Sequence, residues 1–326
     1  MEPLRDAFGR SLHYLRLAVT DRCNFSCVYC LPNGCQRAPG EQPLSLPELG
    51  RLVGAFADLG FWKIRVTGGE PTVRPDICEI VRRIAATPGV RKLGLTTNGY
   101  RLAAIAPALR DAGLGSVNVS LDSLDPERFR QITGSSQLGA VTGGVERALE
   151  SGIPSVKVNV VLLQGMDDAE IDRFLAWTRR LPIEVRFIEL MRTGENGAFF
   201  GRNHRPADEI RRKLEQRGWA LLDAGRSEGP AVSYGHPDHL GRAGLIAPHS
   251  AGFCESCNRL RVSSTGELRL CLFGERVIPL RPLLRSDDQR DELLELVRMS
   301  VLQKPASHLL CRGHVGMTAN LAMTGG

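Results

Sequence analysis

The sequence has few aromatic residues and no long apolar run. Aromatic residues make up 6% of the 326 positions, which is sparse for the base-stacking platforms of proteins that bind single-stranded nucleic acid. No stretch reaches the roughly 18 apolar residues of a membrane-spanning helix. The N-terminal MEPLRDAFGR lacks the apolar segment of a signal peptide. We therefore expect a soluble, cytoplasmic protein without a membrane or nucleic-acid partner.

Internal repeats and low-complexity tracts are also lacking, and the overall composition is ordinary. Hydrophobic residues make up 42% and charged residues 24% of the chain, which supports a normal globular core. The net charge of +6 and a pI near 9.0 favour an anionic partner. Charge alone does not decide between nucleic acid, a membrane surface and a phosphorylated small molecule.

Cysteine is the residue type that stands out. In a reducing compartment, clustered cysteines indicate metal ligands or catalytic groups rather than disulfides. Six of the nine cysteines fall into two groups, which we call the first trio (Cys23, Cys27, Cys30) and the second trio (Cys254, Cys257, Cys271). Cys78 is expected to be a small core residue, and Cys35 and Cys311 match no motif. The seven histidines show no spacing typical of a metal site.

The first two-thirds of the chain alternates short β-branched runs with amphipathic stretches. This alternation predicts a parallel α/β sheet, open or curled into a barrel, whose ligands bind at the carboxyl ends of the strands. The predicted strands are 15–20, 63–67, 92–97, 116–121, 156–163 and 184–188. The predicted helices are 45–59, 74–86, 103–112, 141–151 and 167–180. Beyond these we expect a helix at 206–217, a loop-rich stretch at 223–252, a hairpin of 259–262 with 267–272, and a last helix at 288–302.

The first trio follows the first predicted strand as Cys-x3-Cys-x2-Cys. Three thiolates can hold three irons of a [4Fe–4S] cluster and leave the fourth iron open to a ligand. A zinc ion completed by a distant histidine or cysteine is the alternative. The thiols alone leave both possibilities open.

The second trio has the pattern Cys-x2-Cys-x13-Cys, with the predicted hairpin in the longer gap. Zinc with His249 or Cys311 as fourth ligand, or a second open cluster, would fit this pattern. Arg259 and Arg261 lie two positions apart on a strand and so face the same side. Their guanidinium groups match phosphates bidentately.

The first trio, with Tyr29 before its last cysteine, resembles the radical S-adenosylmethionine superfamily. Gly68-Gly69-Glu70-Pro71 after the second strand resembles that superfamily's methionine-binding turn. The resemblance implies a partial (β/α)6 TIM-like barrel with a C-terminal extension that carries a second iron–sulfur cluster. It also implies that the open iron binds S-adenosylmethionine and that reductive cleavage yields a 5′-deoxyadenosyl radical.

From about residue 9 to its end, the chain resembles more specifically the GTP 3′,8-cyclase family of molybdenum-cofactor (molybdopterin) biosynthesis. The segments that carry the likeness are 15–24, 63–71, 95–99, 118–122, 157–161, 186–189 and 254–273. The implied activity is a lyase-class radical cyclisation of GTP to (8S)-3′,8-cyclo-7,8-dihydroguanosine 5′-triphosphate. The implied organisation is a radical barrel core at 1–195 and a C-terminal region at 196–326.

The resemblance also assigns residues. The two trios would hold two [4Fe–4S] clusters. S-adenosylmethionine would contact Tyr29, Gly69, Ser120 and Met191. GTP would contact Arg16, Arg65, Thr96, Lys157, Arg259, Leu260 and Arg261, of which Arg16, Arg259 and Arg261 are the expected catalytic residues.

The same likeness implies further partners, and one residue of the C-terminal tail differs from the family. We expect an electron donor of the flavodoxin or ferredoxin type, a downstream cyclic pyranopterin monophosphate synthase and a homodimer. The tail Thr324-Gly325-Gly326 has threonine where the family leads us to expect an aliphatic residue. A peptide-modifying radical maturase and a zinc-stabilised nucleic-acid-binding protein are the rival interpretations.

Overall fold

The computed structural model describes residues 4–34, 42–222 and 229–323. Cys35 and the tail Thr324-Gly325-Gly326 lie outside these ranges, as does the side chain of Cys311. The expectations about them therefore remain predictions.

The described strands form one 12-stranded sheet in the order β12-β11-β10-β1-β2-β3-β4-β5-β6-β9-β8-β7. From β10 through β1–β6 to β9, neighbouring strands are parallel, which confirms the predicted α/β partial barrel. The strands are β1 Tyr14–Ala18, β2 Lys63–Thr67, β3 Lys92–Thr97, β4 Ser116–Ser120, β5 Ser155–Leu162, β6 Glu184–Glu189, β7 Ala220–Leu221, β8 Val232–Gly235, β9 Arg242–Ile246, β10 Arg259–Val262, β11 Glu267–Arg269 and β12 Ile278–Pro279.

The helices pack outside the sheet, and the predicted ones are confirmed near their expected bounds. Two short helices, α4 and α7, were missed because eight or fewer residues give too little apolar periodicity to recognise. No helix in the described ranges is long and apolar enough to cross a membrane. The helices are α1 Leu46–Asp58, α2 Ile77–Ala85, α3 Leu102–Asp111, α4 Pro126–Thr133, α5 Leu138–Glu150, α6 Asp168–Arg180, α7 Gly197–Asn203, α8 Ala207–Gln216 and α9 Arg290–Val301.

The stretch 223–252, expected to be rich in loops, also contains strands that the sequence did not predict. It contains β8 and β9, and β9 pairs in parallel with β6 from Glu184↔Arg242 to Ile188↔Ile246. Gly244 interrupts the apolar run of β9, and its missing side chain makes room for Arg186 of β6, whose Cγ would lie 3.0 Å from a Cβ there. The segment 247–258, here called the bridging segment, then joins β9 to β10 at the other end of the parallel run. The second trio begins on this segment.

The two faces of the parallel strands differ in chemistry. Leu15, Leu17 and Leu260 are fully buried in the apolar core, which the helices complete. Arg16 and Arg261, at the alternate positions, line an internal cavity. The sequence alternation thus builds a dry outer layer and a charged interior. The division of the chain near residue 195 stays a prediction, since strands from both sides of it share the sheet.

The turn Gly68–Gly69 supports the segment that leads from β1 to the first trio. Gly69 N donates to Thr20 O at 2.9 Å, and Glu70 N donates to Arg22 O at 2.7 Å. A Cβ at Gly68, whose φ is +142°, would lie 2.1 Å from Thr20 O. A Cβ at Gly69 would lie 2.3 Å from Arg22 O. The two glycines are therefore needed so that the turn can lie against the cysteine-bearing segment. This requirement adds to the methionine-binding role that the resemblance implies for the turn.

We predict that Gly68→Ala lowers the free energy of unfolding by about 1–3 kcal/mol, because the new methyl group must push the Thr20 backbone away. The matched control is Gly139→Ala on α5, where a Cβ would meet nothing within 4 Å. That change should be neutral or stabilise by up to about 1 kcal/mol. Chemical denaturation of the metal-free chain measures both, and equal stabilities would contradict the packing argument.

Candidate active site

The curled sheet encloses a cavity of about 390 Å³. Its walls come from the inner positions of β1–β6 and β10, from the bridging segment and from the segment after β11. All three cysteines of the second trio line it. Its cationic lining residues include Arg16, Lys63, Arg65, Lys157, Arg186, Arg259 and Arg261.

Three of these cations stand side by side on neighbouring strands. Arg16 is in register with Arg65 of β2 on one side and with Arg261 of β10 on the other. All three are buried, with exposed fractions of 9%, 6% and 6%. Like charges directly opposite each other destabilise a sheet, and buried charges are costly without counter-charges. The arrangement therefore indicates an anionic ligand.

Some of these cations have hydrogen-bond or ion-pair partners within the protein. Arg65 donates to the Tyr14 hydroxyl at 2.8 Å and to Leu95 O at 3.0 Å. Lys157 and Arg186 both pair with Glu184, at 3.6 and 2.9 Å.

Two other buried acids, Glu70 and Glu189, have different partners. Glu70 is buried and accepts from the Thr97 hydroxyl at 2.7 Å and from Asn98 N at 2.5 Å, besides Thr72. It therefore organises the rim after β2 and β3. Glu189 lies 2.8 Å from Nε2 of His204.

The concentration of positive charge in the cavity shifts the pKa values of the groups that line it. Burial opposes ionisation of Tyr14, but the cations Arg65 and Arg16 outweigh it and lower the pKa of the hydroxyl to about 7. Burial, with the charges of Arg259 and Arg16, lowers the pKa of Arg261 to about 9. Nε of Arg261 is buried and has no hydrogen-bond partner among the described residues.

The second trio lies in this positive environment. Cys254 receives a backbone N–H from His308, and Cys257 receives one from Arg259. Burial would raise the pKa of the Cys257 thiol, yet the nearby charges of Lys304 and Arg259 lower it to about 6. Metal ligands of this kind bind as thiolates, so the surroundings favour the binding form of Cys257, whereas burial raises the pKa of the Cys254 thiol.

The first trio lies beyond the carboxyl end of β1. Burial and the neighbouring Cys23 raise the pKa of the Cys30 thiol to about 12. Backbone N–H groups reach two of its sulfurs, from Phe25 to Cys23 at 3.4 Å and from Leu321 to Cys30. The C-terminal segment therefore reaches the first trio at Leu321, just before the undescribed tail.

A small apolar cluster joins the two trios. It consists of Leu272, Phe273, Leu310 and Leu321, and we call it the linking cluster. Cys30 of the first trio and Cys271 of the second both pack against it, as does Met191. One cysteine of each trio therefore contacts the same apolar cluster.

The residues expected to contact S-adenosylmethionine lie near the ends of different strands. Asn196 draws two of them together by donating to Tyr29 O at 2.9 Å and to Met191 O at 3.1 Å. The Tyr29 side chain is buried beside Ile132, Leu163 and Leu190 and donates to Asp122 at 2.7 Å. Ser120 ends β4, and Gly69 lies against the first trio's segment. Of this set, Met191 lines the cavity.

Leu260 and Thr96, two residues expected to contact GTP, differ in what they can offer a ligand in the cavity. Leu260 lies between Arg259 and Arg261 on β10, so its side chain points to the opposite face and packs in the core. A side-chain contact with a ligand in the cavity is therefore excluded, and only its backbone remains available. Thr96 of β3 has a buried hydroxyl with no hydrogen-bond partner in the described ranges.

Several lining residues were not foreseen. Asn118 and Asn159 each have a buried side-chain oxygen without a hydrogen-bond partner among described residues. Alternation along β4 and β5 could have indicated them, since each lies between valines. Lys304 does not line the cavity, but its charge acts on Cys257 of the second trio. It is 2% exposed and donates to Arg259 O at 3.2 Å, and a lone lysine after a helix gives no signal in the sequence. Phe253 and His308 form an aromatic wall, with ring centroids 5.9 Å apart.

The spacing of the thiols distinguishes between metals. A tetrahedral zinc ion, with Zn–S bonds of about 2.3 Å, holds its thiolates about 3.8 Å apart. Within the described residues, neither trio has all three sulfurs within 4.8 Å of one another. A four-iron cluster holds its thiolates farther apart than one zinc ion does, so both trios fit the cluster better.

His249 does not complete the second trio as the zinc alternative required. Its Nε2 lies 3.1 Å from Leu190 O, and it groups with Glu189 and His204. The spacing of the histidines in the sequence gives no indication of this group, because the fold assembles it.

Comparison with known families divides the chain into two matches. Residues 17–178 match the model of the radical SAM superfamily. Residues 183–310 match the model described as Molybdenum Cofactor Synthesis C. The two matches contain the first and second trios respectively.

Similar proteins extend this result to the full length. A GTP 3′,8-cyclase of Aeromonas hydrophila is 50% identical over 100% of this chain and 97% of its own length. One from Stenotrophomonas maltophilia is 49% identical over 100% of both chains. The crystal structure of Streptococcus suis SuiB bound to S-adenosylmethionine shares the fold, with a TM-score of 0.62 and 13% identity over 91% of this chain and 72% of that one. The chain belongs to the GTP 3′,8-cyclase family, within the radical S-adenosylmethionine superfamily.

Proposed function

We propose that this protein converts GTP to (8S)-3′,8-cyclo-7,8-dihydroguanosine 5′-triphosphate in molybdenum-cofactor biosynthesis. The observation that carries the proposal is the cavity that combines the in-register arginines with the second trio. A triphosphate supplies the negative charge that Arg16, Arg65 and Arg261 require. The family's chemistry depends on S-adenosylmethionine and an iron–sulfur cluster.

The substrate's two ends suit different walls of the cavity. Arg16, Arg65 and Lys157 bind the triphosphate, because guanidinium and ammonium groups are the usual phosphate donors. The base lies toward the second trio and Phe253, whose ring already lies 5.7 Å from the Arg259 guanidinium. Arg16, Arg259 and Arg261 are the catalytic residues of the proposal, since they touch substrate beside the reacting atoms.

The six grouped thiols hold two [4Fe–4S] clusters in this proposal. Cys23, Cys27 and Cys30 hold the cluster that binds S-adenosylmethionine, whose other contacts are Tyr29, Gly69, Ser120 and Met191. When bound, these groups supply a 5′-deoxyadenosyl radical. Cys254, Cys257 and Cys271 hold the second cluster at the substrate end. The protein's own task is to hold the two ligands adjacent and to exclude water.

The remaining expectations complete the proposal. Electrons come from a donor of the flavodoxin or ferredoxin type, and the product passes to a cyclic pyranopterin monophosphate synthase. The chain acts in the cytoplasm as a homodimer. Residues 1–195 form the radical core and 196–326 the region that binds the second cluster.

Anaerobic reconstitution followed by incubation with GTP, S-adenosylmethionine and dithionite tests the activity. Chromatography with mass detection should show 5′-deoxyadenosine together with the cyclised nucleotide. Deoxyadenosine without cyclised GTP would exclude GTP as the substrate and leave the superfamily chemistry intact.

We predict that the triple variant Cys254→Ala/Cys257→Ala/Cys271→Ala lowers the iron content from about eight to about four per chain. It should still cleave S-adenosylmethionine slowly, because the first trio is intact, but form no cyclised product. Cys78→Ala, on α2 and outside both trios, is the control and should keep full iron content and activity. Iron analysis and product assay measure both, and an unchanged iron content in the triple variant would contradict a second cluster.

We also predict that Lys157→Met raises the Kd for GTP about 10- to 100-fold, through loss of one hydrogen bond to a charged group. The fold should survive, because Glu184 keeps its 2.9 Å pair with Arg186. Lys213→Met removes a surface pair with Asp168 instead and should leave the Kd unchanged. Equilibrium dialysis of reconstituted protein gives the constants, and equal values for both variants would count against a triphosphate site at Lys157.

A further inference from the structure

Glu189, His204 and His249 form a second group of metal-ligating side chains, away from both cysteine trios. One ligand atom from each lies within 4.8 Å of the others. Glu189 ends β6, His204 follows α7, and His249 lies on the bridging segment. Three separate parts of the chain therefore converge here. Nε2 of His204 lies 2.8 Å from Oε1 of Glu189.

The donor set matches a known class of site. Two imidazoles and one carboxylate are the ligands of catalytic zinc sites and of mononuclear iron sites, which keep further positions open. Magnesium and calcium prefer sets of oxygen ligands, so the group favours a transition metal. The carboxylate of Glu189 is only 5% exposed. A buried carboxylate needs partners, and a bound cation would be one beside His204.

The surroundings resemble the outer shell of a metal site. The carbonyl of Leu190 can only accept, so Nε2 of His249 donates to it at 3.1 Å. Ligating histidines commonly donate their second nitrogen to a backbone carbonyl in this way. The Phe200 ring covers both imidazoles, with centroid distances of 4.7 Å to His204 and 5.7 Å to His249.

A separate cavity lies beside the group. It has a volume of about 630 Å³, and both Glu189 and His249 line it. None of the six grouped cysteines lines this second cavity, as far as the described residues show. A metal held by the three side chains could therefore complete its coordination with water from this side. Its access would not pass through the thiol sites.

We propose that Glu189, His204 and His249 bind one Zn²⁺ ion, distinct from the two iron–sulfur clusters. The ion ties the carboxyl end of β6 and the end of α7 to the bridging segment, which leads from His249 to Cys254 and Cys257. The site thereby holds the start of the second trio in place across the open side of the barrel. This inference does not depend on the identity of the substrate.

The experiment uses reconstituted chain with both trios loaded, equilibrated with one equivalent of ZnCl₂ and desalted. Metal analysis should give about one zinc per chain in addition to the full iron content. Zinc K-edge X-ray absorption should show nitrogen and oxygen neighbours at about 2.0–2.1 Å and no sulfur at about 2.3 Å. Sulfur neighbours, or loss of zinc on desalting, would overturn the proposal in the wild-type protein itself.

The variant His204→Ala/His249→Ala should retain less than about a tenth of an equivalent of zinc. The matched control is His236→Ala/His239→Ala, which removes another pair of neighbouring histidines with ring centroids 4.9 Å apart. That control should keep zinc at the wild-type level. Because the double variant could fail to fold, Glu189→Gln is a second test, with iron content and circular dichroism reporting the fold. Undiminished zinc in folded Glu189→Gln and in the histidine variant would refute the assignment.

Discussion

Three buried arginines in register on β10, β1 and β2 are the constraint on which the interior depends. Arg261, Arg16 and Arg65 occupy neighbouring positions at one level of the sheet, where like charges repel. Burial of the apolar outer face offsets the cost of this repulsion, since Leu15 and Leu17 anchor β1 in the core. The repulsion is also partly offset by the thiol sulfurs of Cys271 and Cys257, which raise the pKa of Arg261 against its burial and its cationic neighbours. The arginines and the second trio therefore stabilise each other's charged forms.

The C-terminal region completes the site from both edges of the barrel. It adds β9 beside β6 and β10 beside β1, and the bridging segment between them crosses the open side. The same region contributes Leu272 and Leu321 to the linking cluster, against which Cys30 packs. Neither half encloses the cavity alone, because residues of both line it. A boundary between two regions of the sequence is thus compatible with one continuous sheet and one active site.

The sequence predicted those parts of the fold that local patterns control. Alternation along β1 and β10 was enough to place Arg16 and the pair Arg259 and Arg261 on an inner face. β9 was missed because one glycine breaks its apolar run, and its pairing with β6 is a tertiary choice. The group of Glu189, His204 and His249 could not be foreseen, because no local pattern records a contact between residues so far apart in the chain. Alternation along β10 leaves Leu260 only its backbone to offer a ligand, because its side chain packs in the core.

The two trios differ in electrostatics, and the difference matches the charges of the two ligands in the proposed function. Around the second trio, Lys304 and the arginines lower the pKa of Cys257 to about 6. Near the first trio, Asp122 is a carboxylate whose pKa burial raises to about 6, so it is largely ionised at neutral pH. Burial is the main cause that raises the pKa values of Cys27 and Cys30, and the charge of Asp122 adds to it. A triphosphate is drawn to the cationic end, and a sulfonium is drawn to the acidic end. In the proposed function, this difference in charge favours binding of each ligand at its own trio before any shape-specific contact is made.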